Sequence, residues 1–330
     1  MAEALQRRGV LVTFAGSPDR VEATLIPQRG YVFDSFSISG LPRRPSVALA
    51  RAAGQALTAP ASCLRILKKR RPDVVLGAGG YVAGPMVLAA RLRGIPCALT
   101  EADAHLGLAN RLAAPLADRV FLALPVGRDG EKYRAVGRPI PANSLPRPRV
   151  ESRAAFGLAP DAGVVLIFGG SLGARLLNDV ALDAWAESGP AVIHLCGERD
   201  YSRLSDRATR ADYILRPFIE EIGLAYGAAD IVLARAGGSV WELAAAGLPA
   251  VLVPGEFATG AHQEKNARWF VDAGGAVVVP EAQADTAPRV IEELLANPSR
   301  LDAMAAAMRA AAKPDAAEEI ADELVGLARR

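Results

Sequence analysis

The segment from Arg235 to Pro249 holds the residue types in this chain that are best suited to chemistry. It follows an apolar, strand-like run at 231–234 and turns through Gly237-Gly238-Ser239 into a helix that carries Glu242 in its first turn. A strand, a glycine turn and a helix point backbone N–H groups and the positive helix end at an anion. A carboxylate one turn further on can accept hydrogen bonds from both vicinal hydroxyls of a ribose. The segment therefore predicts a site for a nucleoside diphosphate.

Two other glycine turns follow predicted strands. They are 79–85, Gly-Gly-Tyr-Val-Ala-Gly-Pro, and 169–175, Gly-Gly-Ser-Leu-Gly-Ala-Arg. Glycine also simply lets a helix pack close to a sheet, so a lone turn of this kind indicates little. Two turns in the second half of the chain favour a phosphate-binding loop there. No Lys-Ser or Lys-Thr pair follows any of the three turns, which disfavours the class of P-loop ATPases.

Two more segments of the second half could complete such a site. Phe218 and Ile219 could place an aromatic ring beside a base whose edge is read by the backbone of Ile219. The alternative is a phenylalanine in an interdomain core. Gln263 and Asn266 are suited to hydrogen-bond sugar hydroxyls, and the alternative there is a solvated helix N-terminus.

Acidic residues and a histidine follow the predicted strand 96–100 in the first half of the chain. Ligands of open α/β sheets bind at the carboxyl ends of the strands, so Glu101, Asp103 and His105 are candidates for a general base. The alternative is that Asp103 caps a helix and His105 lies on the surface.

The elements that must position these residues follow from the apolar pattern. Short β-branched runs alternate with Ala- and Leu-rich amphipathic segments, which predicts parallel sheets with crossover helices. The predicted strands are 10–15, 74–76, 96–100, 119–123, 164–168, 191–195, 213–215, 231–234, 250–253 and 276–279. Residues 1–9 form a predicted helix, and a Lys-Pro-Asp break at 313–315 precedes a last helix, 316–330.

Length and composition set the limits of these predictions. A chain of 330 residues is longer than one that folds around a single hydrophobic core. Four prolines within 139–148 indicate a linker. We therefore expect domains at 1–138 and 151–315 joined by 139–150. A net charge of +2 gives no electrostatic reason to expect nucleic acid. The three separated cysteines fit a reducing cytosol and no metal site. Glycines and a proline interrupt the uncharged run 74–90, so we expect no transmembrane helix.

Together these segments resemble the MurG family, the N-acetylglucosaminyltransferases of bacterial peptidoglycan synthesis. The resemblance covers nearly the whole chain and is most specific at 79–85, 107–111, 117–120, 169–174, 242–249 and 263–267. It implies an α/β fold of two Rossmann-like domains facing a cleft, the glycosyltransferase B type, in which the helix 316–330 crosses back to the first domain. The family's first strand and Gly-Gly-Thr-Gly-Gly-His loop have no counterpart here, which we interpret as a start codon placed downstream or a truncated form.

The resemblance also implies the reaction, which is transfer of GlcNAc from UDP-GlcNAc to the muramyl sugar of lipid I, with inversion and without a metal or cofactor. On the donor side it implies Ser171 at the diphosphate, Phe218 and Ile219 at the uracil, Gly237, Gly238 and Ser239 along the nucleotide, Glu242 at the ribose, and Gln263 with Asn266 at the GlcNAc. On the acceptor side it implies Gly80, Tyr81, Asp103, Asn110 and Arg111, with Glu101 as the base.

The implied partners are UDP-GlcNAc, lipid I, the inner membrane surface, and cell-wall and division proteins. The implied location is peripheral, at the cytoplasmic face of the plasma membrane.

The family's His-Glu-Gln-Asn motif reads Thr100-Glu101-Ala102-Asp103 here, so an acid stands where the family has an amide. Two alternatives stay open. One is a UDP-sugar transferase with another acceptor, and the other is a truncated, inactive chain that binds nucleotide.

Overall fold

The computed structural model describes residues 1–40, 47–128, 130–170, 173–255 and 262–329. These residues form two compact units, Met1–Pro139 with Asp315–Arg330 and Ile140–Pro314. In the first unit the helices are α1 (Ala2–Arg7), α2 (Glu22–Gln28), α3 (Val47–Arg70), α4 (Gly80–Leu92), α5 (Leu108–Ala113) and, at the end of the chain, α14 (Ala316–Ala328). Its strands are β1 (Thr13–Gly16), β2 (Val32–Ser35), β3 (Val75–Gly77), β4 (Cys97–Glu101), β5 (Arg119–Leu122) and β6 (Tyr133–Ala135).

The second unit alternates strand and helix throughout. Its helices are α6 (Arg149–Ala155), α7 (Arg175–Trp185), α8 (Glu198–Leu204), α9 (Ile222–Ala228), α10 (Val240–Ala246), α11 (His262–Asp272), α12 (Ala287–Leu295) and α13 (Pro298–Ala311). Its strands are β7 (Val164–Phe168), β8 (Ala191–Leu195), β9 (Tyr213–Arg216), β10 (Ile231–Ala234), β11 (Ala250–Leu252) and β12 (Ala276–Val278).

Every strand pairing in the described residues is parallel, as the alternating pattern predicts. The second unit has one six-stranded sheet in the order β12-β11-β10-β7-β8-β9. The first unit has a four-stranded sheet, β3-β4-β5-β6, and a pair, β1-β2. Parallel sheets carry helices on their faces, so their central strands are buried and apolar. All residues of β7, β8 and β10 are buried accordingly.

Two strands, β2 and β6, were not among the sequence predictions. Both lie at the edge of their sheets, and their residues are exposed or half-buried. An edge strand of this kind needs no continuous apolar run, so the pattern that identified the central strands is absent there. The predicted strand 10–15 was also placed too early, because the strand begins at Thr13.

The terminal helix α14 packs in the first unit. Ile320, Leu324 and Leu327 are buried against Ala98 of β4 and Phe121 of β5. Charged pairs surround this apolar contact, since Arg134 of β6 pairs with Glu319 and Glu323, while Arg8 pairs with Glu318 and Asp322. The last helix is therefore held to its unit by both apolar burial and complementary charge.

The proline-rich segment before α6 is folded onto the second unit. Arg147 N–H donates to the carbonyl of Gly223 over 3.0 Å. A Cβ on Gly223 would lie 2.1 Å from the carbonyl oxygen of Leu145, and one on Gly227 would lie 2.2 Å from that of Arg147. These two glycines let α9 lie directly against the backbone of the segment, while its prolines 141, 146 and 148 remain exposed.

Candidate functional site

The sheet of the second unit brings two glycine turns side by side. One turn follows β7 and leads to α7, and the other follows β10 and leads to α10. Strands β7 and β10 are parallel neighbours, with Phe168 opposite Ala234. Both turns therefore leave the same carboxyl edge from adjacent strands, which is the position where open α/β sheets bind ligands. Ser171, predicted to hold a diphosphate, lies outside the described residues.

Close backbone contacts explain the glycines of the first of these turns. Gly173 has φ +74°, and a Cβ there would lie 2.1 Å from the carbonyl oxygen of Cys196. A Cβ on Gly169 would lie 2.2 Å from that of Ala174. No other residue fits either position without a backbone shift, so the turn must stay close to the end of β8.

The second turn presents Glu242 as predicted, with a partner that the sequence did not indicate. Gly237, Gly238 and Ser239 are half-buried and precede α10, in whose first turn Glu242 lies. Tyr226 of α9 donates its hydroxyl to Glu242 Oε2 over 2.9 Å. Burial, and then the Glu242 carboxylate, raise the pKa of Tyr226 far above its usual range. The tyrosine therefore stays protonated and remains a donor.

Arg235 is a residue of this edge that the sequence predictions missed. It directly follows β10, and its guanidinium donates to the carbonyl of Val253, over 3.1 Å, and forms an ion pair with Glu281. Both partners follow other strands of the sheet, β11 and β12. Arg235 therefore ties three strand ends together. The signal in the sequence was an arginine placed immediately after a fully apolar strand.

The remaining donor-side predictions fall on two segments. Phe218 is 58% exposed, so its ring is not part of the core of the second unit and is free to contact a ligand. Ile219 is half-buried, and the backbone before it is held because Gly197 N–H donates to Pro217 O over 3.0 Å. In α11, Gln263 Oε1 accepts from Gly255 N–H over 2.8 Å. Asn266 is only 4% exposed, so Gln263 is the more accessible of the two amides.

A buried polar network lies beneath the first turn. His194 Nδ1 meets Tyr213 Oη at 2.9 Å, and His194 Nε2 meets Asn178 Oδ1 at 3.0 Å. Asn178 in turn donates to Cys196 O, at 2.9 Å, and to Asp200, at 3.2 Å. Burial lowers the pKa of His194 to about 3, so the ring is neutral at physiological pH.

The network ends at two arginines. Asp200 is buried, and the neighbouring guanidinium groups of Arg199 and then Arg175 lower its pKa. Arg175 is the first residue of α7, directly after the glycine turn. The buried network thus holds a cationic side chain beside the loop that we predict to bind a diphosphate.

In the first unit, the predicted acceptor-side residues gather around the ends of β3 and β4. Gly79 has φ +90°, Gly80 has φ +67°, and α4 begins there. Glu101 is 8% exposed and accepts from Gly107 N–H and Asn110 Nδ2, each over 2.9 Å, and from Asp103 N–H over 3.3 Å. The Glu101 carboxylate thus holds the loop between β4 and α5 in place through these hydrogen bonds.

The other acceptor-side residues differ in their surroundings. Tyr81 accepts from Arg20 Nε over 2.9 Å through its hydroxyl. Arg111 is exposed on α5, whereas Asn110 is buried, and its Oδ1 accepts no hydrogen bond from the part of the chain that the structure describes. Across the same described ranges, no group of three His, Cys, Asp or Glu residues is placed to hold a metal ion.

Two parallel α/β units, of which one carries paired glycine turns followed by a carboxylate in the first turn of a helix, define a two-domain glycosyltransferase of the B fold. Comparison with known proteins supports this class. The glycosyltransferase family 28 N-terminal domain matches residues 1–122, and the glycosyltransferase family 28 C-terminal domain matches residues 164–320. The chain belongs to glycosyltransferase family 28.

Relatives match over nearly the full chain. The chain is 39% identical over 334 residues to the UDP-N-acetylglucosamine--N-acetylmuramyl-(pentapeptide) pyrophosphoryl-undecaprenol N-acetylglucosamine transferase of Nocardioides sp., covering 97% of this chain and 91% of that one. It is 37% identical to the enzyme of the same name from Rubrobacter xylanophilus, covering 100% and 99%. The crystal structure of Acinetobacter baumannii MurG matches with a TM-score of 0.78 and 30% identity, covering 98% of this chain and 94% of that one.

Proposed function

We propose that this chain transfers GlcNAc from UDP-GlcNAc to lipid I and so forms lipid II in peptidoglycan synthesis. The observation that carries the proposal is Glu242 in the first turn of α10, beside a glycine turn, in a chain that matches enzymes named for this reaction over nearly their full length. Glu242 binds the ribose hydroxyls in this proposal, and Phe218 with Ile219 binds the uracil.

The reaction that fits these residues is a direct displacement with inversion. The acceptor hydroxyl attacks the anomeric carbon as the bond to the UDP oxygen breaks, and UDP leaves with the bonding electron pair. In this proposal the N-terminus of α7, an 11-residue helix, and Arg175 at its start offset the charge on the leaving diphosphate. Ser171 and Gln263 complete the donor side, at the diphosphate and the GlcNAc.

A base must take the proton of the attacking hydroxyl, and we propose Glu101 for this role. Its carboxylate already accepts three hydrogen bonds, but two carboxylate oxygens offer about four acceptor positions, so one more contact is available to an acceptor hydroxyl. Gly80, Tyr81, Asp103, Asn110 and Arg111 surround the acceptor in this proposal.

A lipid acceptor calls for a membrane-binding surface, and we propose that α4 and α5 provide it. Leu88 and Leu92 of α4 and Leu108 and Leu112 of α5 are exposed, and these helices pack together. The exposed arginines 91, 93 and 111 lie among them. Apolar side chains combined with basic ones are typical of surfaces that bind anionic bilayers. None of the described helices has the length and apolarity needed to cross a bilayer. The proposed location is peripheral, at the cytoplasmic face of the plasma membrane.

The donor half of the proposal is tested by calorimetric titration with UDP-GlcNAc, UDP-glucose and ADP. We expect selective binding of UDP-GlcNAc and its loss in Glu242→Ala. Absence of binding by the folded wild-type chain would overturn the proposal. The acceptor half is tested by supplying lipid I, a soluble muramyl sugar and a different lipid-linked sugar, with release of UDP as the readout. Turnover with an acceptor other than lipid I would assign the chain to a different transferase.

A further inference from the structure

The carboxylate of Glu242 is fixed by Tyr226, whose hydroxyl lies 2.9 Å from Oε2. The two residues come from different helices, α9 and α10, so the hydrogen bond depends on tertiary packing. Within the described residues, Oε1 of Glu242 has no hydrogen-bond donor, and the side chain is only half-buried. Oε2 is therefore hydrogen-bonded to Tyr226, and Oε1 is available to a ligand.

Tyr226 is itself held rigidly. It is 2% exposed, and its ring lies 6.3 Å from that of Phe168, the last residue of β7. Phe168 directly precedes the first glycine turn, and Glu242 follows the second. The tyrosine thus packs behind both turns at once and connects the orientation of Glu242 to the end of the central strand.

This arrangement has an energetic consequence for binding. A glutamate side chain loses conformational entropy when it is fixed. If that loss occurs during folding, it no longer opposes ligand binding. Because a buried neutral tyrosine always donates, it also dictates which carboxylate oxygen stays available.

From these contacts we propose that Tyr226 is a positioning residue for nucleotide recognition: it holds the Glu242 carboxylate in the orientation that reads the ribose hydroxyls. This rests on the proposed function, in which Glu242 binds the ribose. Tyr226 touches no part of the nucleotide in this proposal and acts only through Glu242.

The test removes the hydroxyl and keeps the ring. Tyr226→Phe is suitable because it keeps the volume of the ring. Tyr226 also lines a cavity of about 610 Å³ at the opposite, amino edge of the sheet, and a smaller residue would enlarge this cavity. Tyr213→Phe is the matched control. Tyr213 is equally buried in the same unit, and its hydroxyl also bonds one polar side chain, that of His194.

Affinities for UDP and 2′-deoxy-UDP are measured by calorimetry for the wild type, both phenylalanine variants and Glu242→Ala. The ratio of the two affinities reports recognition of the 2′-hydroxyl, and a general loss of stability does not change it. We expect the wild type to prefer UDP about tenfold or more, and Tyr226→Phe to reduce that preference at least about threefold, since a lost hydrogen bond to a charged group has effects of this order. Tyr213→Phe should keep the preference within about twofold, because the network of Tyr213 lies beneath the turn proposed for the diphosphate, which both nucleotides share.

The outcomes separate the two proposals. If Glu242→Ala abolishes the preference while Tyr226→Phe retains it, the positioning role of Tyr226 is wrong and the ribose role of Glu242 stands. If Tyr213→Phe reduces the preference as much as Tyr226→Phe does, the effect is general and the positioning role is again wrong. If Glu242→Ala keeps the preference, the ribose assignment fails and the role of Tyr226 fails with it.

Discussion

Asn110 Nδ2 donates two hydrogen bonds, each of 2.9 Å, to the carbonyl of Thr100 and to Glu101 Oε2. It thereby ties α5 to the last residues of β4. Asn110 is 3% exposed and Glu101 is 8% exposed, so neither group can exchange its partner for bulk water. This contact fixes the loop between β4 and α5, in which Asp103, one of the proposed acceptor-side residues, lies.

Replacement of Asn110 by alanine should therefore destabilise the first unit. Loss of a buried hydrogen bond to a charged group costs about 1.5–3 kcal/mol. The measurement is the opening free energy of β4 amides by hydrogen exchange, which reports on this unit alone. Gln6→Ala is the control in the same unit, because its amide oxygen accepts from the Tyr31 hydroxyl at an exposed site, where we expect less than about 1 kcal/mol. Equal effects at both positions would contradict the special role of Asn110.

Glu101→Gln should separate the chemical role of Glu101 from its structural one. The glutamine oxygen can keep the bonds from Gly107 and Asn110, and its amide group then faces Asp103 N–H, the longest of the three contacts at 3.3 Å. If Glu101 is the base, kcat falls more than about tenfold while the variant stays folded. A smaller loss of kcat in the folded variant would assign Glu101 to the loop alone.

Arg235→Ala should weaken donor binding and destabilise the second unit. Its guanidinium and the Glu281 carboxylate are each less than one-fifth exposed, so breaking their ion pair leaves a partly desolvated charge and costs about 2 kcal/mol or more. Denaturant unfolding and UDP-GlcNAc titration check the two effects. Arg203→Ala breaks an exposed pair with Asp179 and should cost less than about 1 kcal/mol. A smaller loss of stability in Arg235→Ala than in Arg203→Ala would show that Arg235 does not stabilise the three strand ends.

His194 should make the second unit sensitive to acid. Burial lowers its folded-state pKa to about 3, from an ordinary value of 6.5. The unfolded state therefore binds more protons between these two values, and the free energy of unfolding decreases as the pH falls below 6.5. From pH 7 to pH 5 this residue alone should remove about 2 kcal/mol.

A variant without a titrating group isolates this contribution. In His194→Gln, the free energy of unfolding should change less between the two pH values than in the wild type, by about the same 2 kcal/mol. Hydrogen exchange at β8 amides at both pH values provides the measurement. If wild type and variant lose equal stability, other groups cause the acid sensitivity.

Substitutions on α4 and α5 should detach the chain from membranes. Leu92→Asp and Leu112→Asp place charges on the proposed bilayer surface, and each should reduce co-sedimentation with anionic vesicles severalfold at low salt, because both burial of apolar area and attraction to lipid headgroups are weakened. Val150→Asp on α6 is the control, since Val150 is also exposed but lies in the other unit. Wild-type chain that stays in solution under these conditions would contradict the proposed membrane surface.

The central strands and the glycine turns were predictable because their signals are local. The bounds of β7, β8 and β10 agree with the prediction, since all three strands are fully buried and apolar except for His194 of β8. Gly247, with φ +67°, ends α10, because glycine readily adopts that conformation. The edge strands β2 and β6 have no such run and were missed.

The sequence alone determined the order of strands and helices, the two α/β units, and the placement of Glu101 at a strand end and of Glu242 in the first turn of a helix. These features depend on residues close together in the chain, whose period and turn chemistry can be read directly. Only the tertiary structure decided that Tyr226 holds Glu242, that Asn110 holds Glu101 and that Arg235 joins three strand ends. Such contacts join separate elements, and their geometry depends on how those elements pack around a shared core.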